Sequence, residues 1–539
     1  MVRISKILLL GLAFSLMLLP VIKIYTLHTN LFDLGLFENL FYKLGQNKGY
    51  QFGFTGHVQL FLFPYSIILS FFPIGYKAYV LIFSQSFLLL LPCYWFYRHV
   101  GTYAAMSYLL YYPVWALALF DFHFDHLAVP LLLGFYIGII DKRIVFSVLC
   151  GTALIFVKEP FALQAAACGA LLILLAFNPK LLWKTEIDHS TKRRLYAGGI
   201  WLFVFGISYF LFSIKTVLVY FAPVDWVPIS GSAFGWLGDS LMSILKTIML
   251  SPHIVVMDIF TTPGKLVYLV VIFGSFAFIP LLRPILLIPA LPILGISLIS
   301  HLPNYYDYNT HYTAGLVIPV VFSFIYGLPI AYSLWEKMLS RLSLLKTEAK
   351  RKMMFNACVG IWVAFGHIAL SPSPISRLFW SDKVWVFNYN AYLPSDRQVM
   401  MKKAIRHYVP AMSAVSIQNN INSSYLANRD IYVPFPQGTL NAYEYIDYSK
   451  RPRDGFLKYL DTGVVTPDVI QYIYVGYVVL DLKRPPFILD RGCTWVYEKC
   501  LDKKIENDFR HLVEKVKKYY SIVYEADDFI ILKRIGENL

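Results

Sequence analysis

Long apolar runs separated by short polar turns fill the first 370 positions, and many approach the roughly 20 residues that a helix needs to cross a bilayer. The pattern predicts about eleven membrane helices, over residues 4–27, 76–97, 103–119, 127–140, 144–157, 161–177, 195–221, 266–282, 285–299, 313–334 and 354–370. Residues 57–73 are also apolar, but Pro64 breaks the run and Pro73 closes it, so it reads as a short re-entrant or interfacial segment. From about position 371 the pattern shortens. Apolar runs at 414–417, 431–433, 477–480 and 529–532 read as strands, and residues 508–520 carry Phe509, Leu512, Val513 and Val516 at helical spacing. The stretch from Ser521 to Leu532 turns at Asp527 and Asp528 and predicts a closing hairpin. The fold class is therefore a polytopic α-helical membrane domain, 1–370, followed by a small α/β domain, 371–539.

Composition sharpens this reading. The chain is 57% hydrophobic and 15% charged, against roughly 25% charged in soluble proteins. A net charge of +15 would suggest nucleic acid in a soluble chain, but no basic stripe interleaved with aromatics is present, so no nucleic-acid partner is expected. The basic residues mark topology instead. If 57–73 does not cross, then Arg98, Lys142, Arg143, the run 180–194, Arg283 and the run 337–352 all share the side of Arg3 and Lys6. This predicts a multi-pass protein of the cytoplasmic (inner) membrane, with its amino terminus in the cytoplasm and its carboxyl-terminal domain extracytoplasmic. Loops 28–75, 120–126, 222–264 and 300–312 then face outward. The first run exceeds a signal core and meets no small-x-small cleavage site, so it reads as a retained anchor.

Of the six cysteines, Cys93, Cys150, Cys168 and Cys358 fall in expected spans, without metal-ligand spacing. Cys493 and Cys500 lie close together in the outer domain, where a disulfide is one option that spacing alone does not decide. No phosphate-cradling Gly-rich loop precedes a helix of that domain, so nucleotide binding is not supported.

The candidate chemistry lies in the outer loops. Asp33 and Glu38 follow the anchor, flanking an apolar run that suggests a helix along the interface; Asp33 suits either an N-cap or, partly desolvated, a general base. Asp121, His123, Asp125 and His126 concentrate ionisable groups between two spans, which is costly unless functional. They suit substrate contact, a divalent metal held by Asp121 and His123, or a solvated loop; no zinc spacing is present. Lys158 and Glu159 stand before Pro160, where the ammonium either snorkels or meets phosphate, and the same choice applies to Lys215. His57, His301, Asp307 and His311 complete the outer-face inventory, with His311 at the mouth of the bundle.

Phe32-Asp33-Leu34-Gly35-Leu36-Phe37, Phe120-Asp121-Phe122-His123, Val157-Lys158-Glu159 and His311-Tyr312-Thr313-Ala314 resemble, in order, the recurring motifs of domain of unknown function 2079. These are predicted bacterial and archaeal membrane proteins, a family related to the GT-C glycosyltransferases. The resemblance spans nearly the whole chain, including Ser416-Ile417-Gln418-Asn419-Asn420 and Tyr477-Val478-Val479-Leu480-Asp481. The chain departs from the family in two places: Phe124-Asp125 stands where Pro-Glu is usual, and Pro160 where an Asp commonly follows Lys-Glu. The resemblance implies a GT-C-like fold and transfer of a sugar from a polyprenyl-phosphate donor to an envelope glycan, lipid or protein acceptor at the outer face. It implies Asp33 as the catalytic base of an inverting attack, leaving Glu38 an ordinary polar residue of the interfacial helix, with Lys158, and more remotely Lys215, offsetting charge on the departing phosphate. Asp121, His123, Asp125, Glu159, His57 and His311 would contact substrate.

Two other classes are weighed against this one. A transporter or flippase would use acids and histidines as proton relays, but here they gather at one end of the spans and no internal duplication is apparent. A non-catalytic scaffold binding envelope components is the third reading.

Overall fold

The computed structural model describes residues 2–46, 56–183, 186–221, 233–339, 347–381, 388–436, 438–439, 475–484 and 503–536. Cys493 and Cys500, and with them the disulfide considered above, lie outside the described residues.

Among the described residues six helices are long and apolar enough to cross a membrane: Ser5–Tyr25, Ile74–His99, Glu159–Phe177, His189–Phe221, His311–Met338 and Glu348–Leu370. The other five expected spans are shorter or broken. Residues 103–119 form two helices, Thr102–Leu110 and Tyr112–Leu119, that meet at an extended Tyr111 ahead of Pro113. Ala128–Ile140 and Ile144–Ile155 hold 13 and 12 residues. Pro263–Gly274 ends before Ala277 and Phe278, both at positive φ, and proline-rich 3₁₀ turns interrupt the stretch up to Leu291–Ile299. A 12-residue helix is about 18 Å long, well short of a core of about 30 Å. Every residue of Tyr112–Leu119 is buried, so its continuous hydrophobicity records packing inside the bundle rather than contact with lipid.

Two further elements lie in segments expected as loops or short broken helices. Leu62–Ser70, within the segment broken by Pro64, is a nine-residue helix of about 14 Å. Residues 222–264, expected as loop, contain the apolar helices Leu241–Leu250 and Pro252–Thr261, bent by 87° where Pro252 follows Ser251.

The carboxyl-terminal part carries a five-stranded mixed sheet. Its strands are β1 (Val415–Ile417), β2 (Tyr432–Pro434), β3 (Tyr477–Asp481), β4 (Tyr520–Ala526) and β5 (Phe529–Arg534), in the spatial order β2-β1-β3-β5-β4. β1 pairs in parallel with β2 and β3, while β5 runs antiparallel to β3 and β4. The closing hairpin is present: Asp527 and Asp528 both take positive φ, the geometry that a tight right-twisted hairpin requires. The helix expected at 508–520 spans Lys503–Lys517. The core between sheet and helix Asp396–Tyr408 also takes in Leu27 and Leu31 from the segment after the first span. Apolar burial therefore welds this part of the chain to the segment after the first span.

Candidate functional site

Directly after the first span the chain is stitched to the carboxyl-terminal domain. Leu31 N donates to Asn419 O at 2.7 Å, Phe32 N to Asn419 Oδ1 at 2.9 Å, and Asn422 N to Thr29 O at 3.0 Å. Residues Leu31–Gly35 form a π-turn that leads into helix Leu36–Gly45. Asp33 lies inside that turn and caps neither element, so the N-cap reading of its carboxylate falls. The helix is not an interfacial one either: seven of its ten residues, Glu38 among them, are buried. Asn422 Nδ2 donates to Glu38 Oε2 at 2.8 Å, and Asn39 Nδ2 donates to the carbonyls of Ala427 and Arg429 at 2.7 Å. Burial raises the Glu38 carboxyl to about 7, partly opposed by its bonds to Ser424 and Asn422. Glu38 is thus more than the ordinary polar residue suggested by its place in the sequence.

The second motif meets the first through aromatic packing. Phe37 stands edge-on to Phe122, His123 and Phe124, at centroid distances of 5.2, 5.7 and 5.4 Å. Gln85 fixes the loop from below, accepting from His123 N and donating to the carbonyls of Leu117 and Phe120. Asp121 is fully engaged. Lys23, in the last turn of the first span, reaches its Oδ1 at 2.8 Å, and Asn30 N donates to its Oδ2 at 2.5 Å. Asp121 therefore braces the loops against each other, with one partner on each of its oxygens.

Asp33 faces His123, with Oδ1 3.3 Å from Nε2. His123 Nδ1 donates to Asp121 O at 3.3 Å, which leaves Nε2 as the acceptor toward Asp33. Burial, reinforced by the charge on Asp121, holds the Asp33 carboxyl well above the usual carboxylate range. Burial and then the neighbouring His311 keep the His123 imidazole well below its ordinary value. The two directions agree: the pair holds one proton, on Asp33, shared toward a neutral imidazole. The His311 ring stacks on His123 at 3.7 Å and 10°, and its Nδ1 is buried without a hydrogen-bond partner. Asp33 Oδ2 is likewise buried and unpartnered.

The third motif completes the cluster. Lys158 Nζ lies 3.6 Å from Asp125 Oδ2 and 5.4 Å from the centre of the Tyr312 ring. That carboxylate distance exceeds the roughly 2.7–2.9 Å of a strong charged hydrogen bond, so the ammonium is held without being saturated. Glu159 receives His57 Nδ1 at 2.6 Å on one oxygen and Val58 N at 3.0 Å on the other.

The structure thus joins Asp33, Asp121, His123, Asp125, Lys158, Glu159, His57 and His311. Lys215 does not join them. It is exposed on the π-turn Ser213–Val217, a place suited to snorkelling. Asp307 is buried and bonded to Asn309, burial raising its carboxyl, and His301 belongs to a second cluster with Asp258 and Lys265. Among the described residues no group of three or more His, Cys, Asp or Glu is arranged to hold a metal ion.

Lys23, Glu38, Asn419 and Asn422 were missed as site-forming residues. Lys23 alone had a signal, a charge inside an apolar span. Compared with known families, residues 23–452 match the model described as predicted membrane protein, domain of unknown function 2079. No curated protein matches the chain.

Proposed function

The chain belongs to this family of predicted membrane proteins, and from that premise we propose that it is a membrane glycosyltransferase of GT-C type, moving a sugar from a polyprenyl-phosphate donor to an envelope acceptor outside the cytoplasmic membrane. The observation that carries the reading is the unpartnered Asp33 Oδ2 within reach of the loops that hold Lys158 and His311, buried where four distant segments converge. A buried carboxylate oxygen without a partner is rare, and a substrate hydroxyl is a natural partner for it.

In this proposal Asp33 Oδ2 takes the proton of an acceptor hydroxyl as Oδ1 passes its own proton to His123 Nε2. The oxygen attacks the anomeric carbon with inversion, and the bond to the phosphate oxygen breaks, its electron pair leaving on the phosphate. Lys158 offsets that charge while Asp125 holds it in place. His123 fixes the Asp33 carboxyl, and Lys23 with Asp121 hold both loops in register. No step passes through a metal.

Purified protein in proteoliposomes with a labelled polyprenyl-phosphate sugar and an envelope-lipid extract tests this. Transfer by the wild type and its loss in a folded Asp33→Asn variant is the expected result. Unchanged transfer in that variant removes Asp33 from the base role, and accumulation of labelled substrate across the sealed bilayer without product favours a transporter.

A further inference from the structure

Asp33 poses a difficulty for repeated turnover: at 6% exposure a proton gained there has no direct route to water. Of the titratable side chains joined in this cluster, that of His57 meets solvent most, against 13% exposure for His123. The His57 side chain is 28% exposed, while its partner Glu159 is 9% exposed and fixed from behind by Val58 N. The 2.6 Å contact joins Nδ1 to the carboxylate, so Nδ1 carries the hydrogen and Nε2 presents its lone pair to solvent. A buried carboxylate that sets the tautomer and stabilises the imidazolium is the arrangement that makes histidine an effective proton carrier.

We propose that His57 and Glu159 form the proton outlet of the site, returning to water the proton that Asp33 takes from the acceptor. This rests on the transferase reading above and adds a group with its own chemistry. Two observations connect the outlet to Asp33. His311, stacked on His123, keeps a buried Nδ1 without a partner, facing the same cluster. Lys158, next to Glu159 in the chain, lies 5.4 Å from the ring of Tyr312, the residue after His311. A water bonded to His311 Nδ1 takes the Asp33 proton and passes one to His57 Nε2. The imidazolium, held by Glu159, then releases it to bulk water, so each transfer moves one proton and no electrons. The titratable group in contact with His57 is Glu159, and Lys158 precedes it at the start of the same helix.

Labelling of the detergent-solubilised full chain with diethyl pyrocarbonate, read by mass spectrometry across a pH series, tests the dyad without any assay of transfer. His57 is expected to be labelled and His123 and His311 protected. Glu159→Gln should change the extent of His57 labelling at a fixed time several-fold, because the carboxylate no longer holds the hydrogen on Nδ1 and the lone pair of Nε2 toward solvent. An unlabelled His57, or an unchanged extent of labelling, overturns the dyad. In the proteoliposome assay, His57→Ala should turn over about ten-fold more slowly than wild type in weak buffer and recover on addition of imidazole. A rate independent of buffer and imidazole overturns the outlet role while leaving Asp33 untouched. If the wild type transfers no sugar, the transferase reading and the outlet role fall together, and the labelling still decides whether the dyad exists.

Discussion

Two charged clusters in this protein share an inventory, yet only one is both buried and left chemically open. Around Asp258, Lys265 is 0% exposed and reaches the carboxylate at 2.5 Å, His301 lies 3.3 Å from the other oxygen, and Trp236 stacks on His301 at 4.3 Å. The Lys265 ammonium also lies over the rings of Trp236 and Tyr306. None of the polar side-chain atoms of Asp258, Lys265 and His301 is buried without a partner. Around Asp33 the residue types are the same, a lysine, acids, histidines and aromatic rings, but Asp33 Oδ2 and His311 Nδ1 are orphaned and Lys158 stands 3.6 Å from its acid. A closed ion pair ties elements together. An open one leaves capacity for a ligand, and the contrast lies in hydrogen-bond completeness rather than in composition.

The sharpest way to break this comparison is to neutralise the acid in each cluster. Asp33→Asn is expected to lower transfer at least 100-fold, the lower range for a lost general base, with little change in thermal stability in detergent. Asp258→Asn should do the reverse, lowering the melting temperature while transfer by the protein that remains folded stays within a few-fold of wild type. Lys265→Met carries the same logic further. It removes the short ion pair from a partly exposed carboxylate and should cost about 1–3 kcal/mol, measured by denaturant titration. Lys158→Met should instead show its main effect on transfer, because its 3.6 Å pair is the looser of the two. If both lysine variants lose stability equally and neither changes transfer, the distinction between the clusters is gone.

The order of the four motifs, the change of character near position 371, the Asp527–Asp528 hairpin and the strand positions could all be read from the sequence, because each is a local signal of period, length or turn chemistry. The membrane helices were legible in place but not in length. Residues 103–119 read as one span because apolar periodicity does not separate a lipid-facing helix from two short buried ones, and Pro113 was the signal of the break. The bent pair at 241–261 was hidden in a stretch taken for loop. At the site, the identities of Asp33, His123 and Lys158 were visible, but their partners were not. Lys23 on Asp121 and Asn422 on Glu38 join residues 98 and 384 positions apart, and no local pattern encodes such pairing. The same distance explains why Glu38 was undervalued: its burial comes from a domain that begins hundreds of residues later.

Glu38 gives a pH test of that docking. Its folded value of about 7 lies above the ordinary carboxylate value near 4.5, so between these limits the folded state binds more protons than the unfolded one. The protonated contribution is present below about 4.5 and is lost as pH rises through 7, amounting to roughly 3 kcal/mol at the alkaline end. Wild-type stability should therefore fall from pH 5 to pH 8, and Glu38→Gln should flatten that slope. A parallel slope in the variant would mean that Glu38 does not titrate in this interval.

The smallest change addresses the contact that makes the open cluster possible. A Cβ on Gly35 would lie 2.7 Å from Asn422 Oδ1 and 3.2 Å from the Tyr432 ring, and Asn422 is itself held by Tyr432 Oη, which donates to it at 2.7 Å. Asn422 cannot swing away without releasing Glu38, so Gly35→Ala should cost about 1–3 kcal/mol as the loop and the asparagine move apart. Glycine is required here for close approach, since the backbone at position 35 is right-handed helical and suits alanine. Gly45, with nothing within 4 Å of its added Cβ, is the control: its alanine variant should leave stability and transfer near wild type. The Gly35 variant should also reduce transfer more than its stability loss explains, because Asp33 is carried by the same turn. Loss of stability alone would show that the docked domain holds the loop without setting the position of the carboxylate.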